Sequence, residues 1–200
     1  MVHAAIGLRV HSGWAVLVAV AGSPASPDVI DRRRIELIDG ESLGGPQPYH
    51  AAAEMESGPG KELVGRAIAS ARVHAAKALR AAVADLRKKG YNAGACGIVA
   101  ASGKPLPELR AILASHALIH TAEGEMFRDA LAHAAHQMGL AVERVPEKGL
   151  FAAVKPRLGI SEEALKRRLA EIGRQIGSPW RQDEKNATVV AALVLGAAQC

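Results

Sequence analysis

Apolar positions fall into two regimes along the chain, short β-like runs up to Asp39 and helical spacing over much of the remainder. Ala5-Ile6-Gly7-Leu8-Arg9-Val10 is a short apolar run that stops at His11-Ser12-Gly13, where glycine supplies turn chemistry. Trp14 to Ala21 is an almost unbroken aliphatic run closed by Gly22-Ser23-Pro24, which predicts a strand buried on both faces. Val29 to Ile38 sets Val29, Ile30, Ile35, Leu37 and Ile38 among Asp31, Arg32, Arg33, Arg34 and Glu36. That mixture predicts an edge strand guarded by charge. The first forty residues therefore read as a three-stranded antiparallel meander.

Residues 40–60 are rich in Gly, Pro and Ser and predict a loop with a short helical piece near Tyr49 to Met55. From Lys61 to Lys89, Val64, Ala67, Ile68, Ala71, Ala75, Ala78, Leu79, Ala82, Val83 and Leu86 recur at helical spacing, and Gly90 marks the stop. Cys96 to Ala101 predicts a buried central strand. Pro105 or Pro107 then opens a helix bearing Leu106, Leu109, Ile112 and Leu113. A further helix over Glu123 to Met138, a strand over Ala141 to Val145, a capped helix over Ser161 to Gln175 and a last helix from about Asp183 to Ala198 complete the order.

Two hundred residues suffice for one domain spanning 1–200. Aromatic residues make up only 3%, so the core must be built of Ala, Val, Leu and Ile. A formal net charge of +5 favours an anionic partner such as nucleic acid. No twenty-residue apolar run or signal peptide is recognisable, because Arg9 and His11 interrupt the first apolar segment. With Cys96 in a buried strand and Cys200 at the last position, a disulfide framework is not expected. A reduced, cytoplasmic protein without membrane association is the expectation.

The element order is three strands, then helix, strand, helix, strand, helix. It resembles the ribonuclease H-like fold, an α/β class with a mixed sheet. Within that superfamily, Ile6-Gly7-Leu8-Arg9 followed by Gly13-Trp14-Ala15-Val16 is similar to the first hairpin of Holliday-junction resolvases of the RuvC type. Asp183-Glu184-Lys185-Asn186-Ala187 through Ala191-Ala192-Leu193 is similar to their last helix. The resemblance implies acids on the first strand, the fourth strand and the last helix, holding two magnesium ions that activate water. In this sequence Arg9 stands at the first position, the fourth strand ends in Ala100-Ala101-Ser102, and Asp183, with Glu184 beside it, is the match that remains. A cation at Arg9 repels magnesium. A charge within an apolar strand also needs a partner, and the resemblance implies Asp183 or Glu184.

A second constellation runs from Ser115 to Arg128. His116 and His120 are four apart, followed by Glu123, Glu125 and Arg128. On a helix or on a strand this spacing keeps both histidines on one side, so they could hold a divalent metal (magnesium, manganese or zinc) with Glu123 as third ligand. The plainer alternative is that His116 ends one helix, Thr121 caps the next, and the acids complement its dipole. His11 and Ser12 in the first hairpin are candidate binding residues that a solvent-facing turn also explains. Ser102 and Lys104, after a strand and before a helix, could cradle a phosphate, although Ser102-Gly103-Lys104 lacks P-loop spacing. His50 in Pro48-Tyr49-His50 could overhang the cleft or be a solvated loop residue.

These residues support three functional readings. The first is a relative that has lost nuclease chemistry and binds an anionic partner, nucleic acid among them, between the first strand and the last helix, through Arg9, His11, Ser12, Ser102, Lys104 and Arg128. The second is a divalent-metal-dependent hydrolase or nuclease using His116, His120, Glu123 and Glu125, with Asp183 as a further catalytic candidate. The third is a structural homo-oligomer packed through alanine-rich helices.

Overall fold

The computed structural model describes residues 1–39, 44–101 and 105–197. Strands β1 (Val2–His11), β2 (Trp14–Ser23) and β3 (Ser26–Glu36) form the expected meander. They are followed by α1 (Pro48–Ala53), α2 (Ser57–Lys88), β4 (Tyr91–Ala100), α3 (Leu109–Leu113), α4 (His116–Gln137), β5 (Ala141–Pro146), α5 (Val154–Leu158), α6 (Glu162–Ile176) and α7 (Gln182–Ala197). One five-stranded sheet has the order β3-β2-β1-β4-β5. The β1–β2 and β2–β3 pairs are antiparallel, whereas β1–β4 and β4–β5 are parallel. The charged strand β3 lies at an edge, as its Arg32-Arg33-Arg34 run predicts, and β4 lies inside.

Alternation along β1 divides the molecule into two faces. Ile6, Leu8 and Val10 enter the large core with Leu17, Ile98, Phe127 and the buried side of α2. Along α2 that side is Val64, Ala71, Ala75, Leu79, Ala82, Val83 and Leu86, the helical repeat read from the sequence. On the opposite side Ala5 joins Val16, Val18 and Val20 against Ala187, Ala191, Val194 and Leu195 of α7. Gly7 and Gly97 are register partners on neighbouring strands, and α7 crosses them closely. A Cβ at Gly7 would overlap the Ala187 carbonyl, and one at Gly97 would sit 2.8 Å from the Val190 oxygen. With α6 packed over it, α7 is enclosed almost all round, which accounts for its apolar sequence.

Several boundaries differ from the sequence reading: β3 opens at Ser26 rather than Val29, β4 at Tyr91 rather than Cys96, and α5 is an addition. Helix α2 begins at Ser57 rather than Lys61, because Pro59 falls in the first turn, where its missing N–H is not needed, and Gly60 nestles against Ala52 of α1. The segment expected to open at Pro105 or Pro107 yields only the five residues of α3. Helix α4 begins at His116, seven residues before Glu123. Ser115 holds the extended N-cap conformation, and Thr121 lies mid-helix with its hydroxyl donating to the Ala117 carbonyl at 2.9 Å. Ser161 caps α6 as expected, accepting from the Ala164 N–H at 3.1 Å. Cys96 is fully buried, which pushes its thiol up to about 12 and makes it an inert core residue. No helix of the described residues is long and apolar enough to cross a membrane.

Candidate functional site

The carboxyl end of β1 meets the amino end of α7 in an ionic cluster. Arg9 lies on the α7 side of the sheet, two residues beyond Gly7, with its side chain 17% exposed. Its guanidinium is 3.1 Å from Glu147 and 3.6 Å from Asp183. Glu147 reaches this point because it follows β5 directly, its N–H bonded to the Ala100 carbonyl at 2.9 Å. Asp183 also takes His11, whose Nε2 is 3.0 Å from its second oxygen. Of the two acids offered as partners for Arg9, the structure uses Asp183. Glu184 instead folds back over the helix start and accepts the Arg181 N–H at 2.7 Å.

Arg9 thus places one positive charge between Asp183 and Glu147. A guanidinium held between two carboxylates is a positive charge that repels any other cation approaching them. Around the cluster, His11 stacks on Trp14 with ring centroids 4.2 Å apart, and the Arg34 guanidinium lies 4.0 Å from the centre of the Trp14 ring. Beside them opens a groove of about 400 Å³ lined by Trp14, Arg32, Arg34, Arg181 and Asp183 among others. Arg32 is partly committed to the loop after α6, donating to the carbonyls of Gly177, Ser178 and Pro179. Arg34 is more than half exposed and pairs with Glu36 at 2.6 Å. Ser12 is an exposed turn residue of the same hairpin.

The second cluster lies on the other face, where α1 packs against α4. His116 and His120 share one side of α4, their Nε2 atoms 3.0 Å apart, so the helical alternative for this spacing is the one adopted. His50 of α1 joins them, with ring centroids 5.3 Å from His116 and 4.6 Å from His120. Behind it Glu123, only 1% exposed, accepts from the His50 ring Nδ1 at 2.9 Å and from the His50 backbone N–H at 3.2 Å. Burial, together with the nearby charges of Asp129 and Glu123, raises the Tyr49 phenol above its ordinary value.

Other sequence candidates lie elsewhere. Glu125 is two residues from Glu123 and faces another way. It pairs with Arg128 at 2.9 Å and Arg144 at 3.4 Å, so the four-residue hydrolase set is not assembled. Arg128 is buried and donates to the Val99 carbonyl at 3.3 Å, which makes it a strut between α4 and β4 rather than a ligand-facing group. Ser102 and Lys104 lie outside the described residues. Sequence pattern alone does not place Glu147, Trp14 or Arg34 in a site, and His50, expected either over the Arg9 cleft or solvated in a loop, lies instead on α1 against Glu123. The available signals are the position of Glu147 just past a predicted strand and Pro48 as a helix opener ahead of His50.

Neither a protein-family model nor a curated protein sequence matches the chain. Solved structures do. The Thermus thermophilus RuvC structure in complex with Holliday junction substrate aligns with 98% of this chain and 94% of its own, at 13% identity and a TM-score of 0.54. A second Thermus thermophilus RuvC structure aligns with 98% of this chain and 95% of its own, at 14% identity and a TM-score of 0.52. These likenesses bear out the ribonuclease H-like fold and the RuvC-type element order.

Proposed function

We propose that this ribonuclease H-like protein binds an anionic partner, nucleic acid in the first instance, in the cleft between the end of β1 and the start of α7, without two-metal nuclease chemistry there. The observation that carries the reading is Arg9 itself. It stands on the strand where the resemblance expects a metal-binding acid, and it is ion-paired to the acid that remains, Asp183, and to Glu147. Next to it, Arg34 lying over Trp14 offers a cationic surface, and the exposed Arg181 adds a second positive group on the rim. With His11 and Arg34 on the Trp14 ring, the arginines are the groups that can meet a partner, contacting phosphate and stacking a guanidinium plane on an unpaired base. The Holliday junction bound by the Thermus neighbour makes branched DNA the natural first ligand to try.

The test is fluorescence anisotropy with labelled single-stranded, duplex and four-way-junction DNA over a salt series. Binding should weaken linearly in log salt, and Arg34→Ala and Arg181→Ala should each lower the slope by about 1. Absence of binding to all three at low salt would remove the reading. Magnesium-dependent cleavage abolished by Asp183→Asn would replace it with a nuclease.

A further inference from the structure

We propose that His50, His116 and His120 form a binding site for a zinc-class divalent cation, with Glu123 as the carboxylate behind it. The site is independent of the Arg9 cleft and lies on the other side of the sheet. The ligand-capable atoms of the three histidines all lie within 4.8 Å of one another. Metal-bound nitrogens sit about 2.0–2.1 Å from zinc, so atoms this close need only small ring rotations to share one ion. His116 and His120 come from one helix face and His50 from a neighbouring helix, which fixes three of four tetrahedral corners. The exposure of His116 and His120 leaves the fourth corner to water or to a ligand from outside.

Glu123 is the second, independent observation. With its carboxylate as acceptor, His50 Nδ1 carries the proton and Nε2 keeps the lone pair, on the nitrogen away from the acid. A carboxylate fixing the tautomer of a histidine ligand from behind is the usual support of a histidine-bound metal. The acid is buried, and its partners are the ring and the backbone N–H of His50. A cation one residue away would offset the cost of placing that charge out of water. The donor set also selects the metal: three imidazoles suit zinc, nickel or copper, whereas magnesium and calcium demand oxygen ligands. Glu123 therefore moves from the ligand shell, where spacing alone sets it, to the group that orients a ligand.

The experiment uses the full, tag-free chain stripped with chelator and titrated with zinc by calorimetry and with cobalt(II) by visible absorption. One equivalent should bind, and cobalt should give the intense bands of four-coordinate geometry. His116→Ala and His120→Ala should abolish the bands with circular dichroism unchanged, since both side chains are exposed. Glu123→Gln should weaken affinity by about 10–100-fold. His74→Ala, outside the cluster, and Asp183→Asn, in the other cleft, should leave the titration unaltered. If folding suffers in an alanine variant, His116→Gln and His120→Gln serve instead. Failure of the unaltered chain to take up zinc or cobalt, or full uptake by the folded His120 variants, would overturn the proposal.

Discussion

At the end of β1 a guanidinium sits between two carboxylates, whereas on α4 two imidazoles turn their nitrogens toward each other with a third beside them and a carboxylate behind. Both clusters combine acids with basic nitrogen side chains at a junction between elements. They differ in where the basic atoms point. In the cleft, Arg9 lies between Asp183 and Glu147, so one positive charge is already in place beside the two acids. In the histidine cluster the one acid is occupied from the far side, and one ring nitrogen from each histidine lies within 4.8 Å of the others. Counting acids and histidines in a sequence does not distinguish these cases; the partner each side chain meets in the fold does.

The largest effect that can break this comparison comes from the sheet beneath the cleft. Gly7→Ala would drive a methyl group into the Ala187 carbonyl and should cost about 3 kcal/mol or more, read by urea denaturation. Zinc uptake by the protein that stays folded should persist, because the histidines hang from the opposite face. An unchanged denaturation midpoint would contradict the close approach of α7. Next in size, Glu123→Ala removes the acceptor of two hydrogen bonds in a buried setting and should cost about 2 kcal/mol. Its signature is local: amide exchange should accelerate in α1 and stay slow in β1. Uniform acceleration across both would show that Glu123 supports the whole core.

Arg9→Gln sharpens the contrast from the other side. Its partners are partly exposed, at 31% for Asp183 and 47% for Glu147, so the stability cost should be only about 1 kcal/mol. The informative readout is magnesium. With the guanidinium gone, two carboxylates face each other, and millimolar magnesium should raise the melting temperature of the variant but not of the parent. Equal responses would mean that Arg9 is not what keeps cations out. The smallest stability effect belongs to Arg34→Ala, at most about 1 kcal/mol from the stack on Trp14. A tryptophan emission shift should accompany it, and a spectrum identical to the parent would detach Arg34 from the ring.

Much of this arrangement is legible in the sequence. The mixture of apolar residues and arginines over Val29 to Ile38 predicts a charged edge strand, and the burial cost of Arg9 calls for a partner, which the RuvC-type resemblance sets on the last helix. The start of α4 is not legible, because Glu123 and Glu125 resemble first-turn acids and Thr121 resembles a cap. In the folded chain Ser115 takes the cap position, and the two acids diverge around the helix. His50 is illegible for another reason: 66 positions separate it from His116, and nothing local in Pro48-Tyr49-His50 reports which helix it will meet. Glu147 shares that difficulty, since its reach toward Arg9 depends on β5 lying beside β4 in parallel register.

Gly7 lies two residues before Arg9 on β1, and Ala187 lies four residues after Asp183 on α7. Two strand residues advance about 6.6 Å and four helix residues about 6 Å, so the two elements keep nearly equal stride as they run past each other in opposite directions. Ala5 and Ala191, one stride further on, share the same apolar cluster. The pairing of Arg9 with Asp183 is thus one rung of a commensurate ladder whose other rungs are small and apolar. A residue inserted between Asp183 and Ala187 would turn Asp183 through about 100° around the helix and dissolve the ion pair without altering either partner.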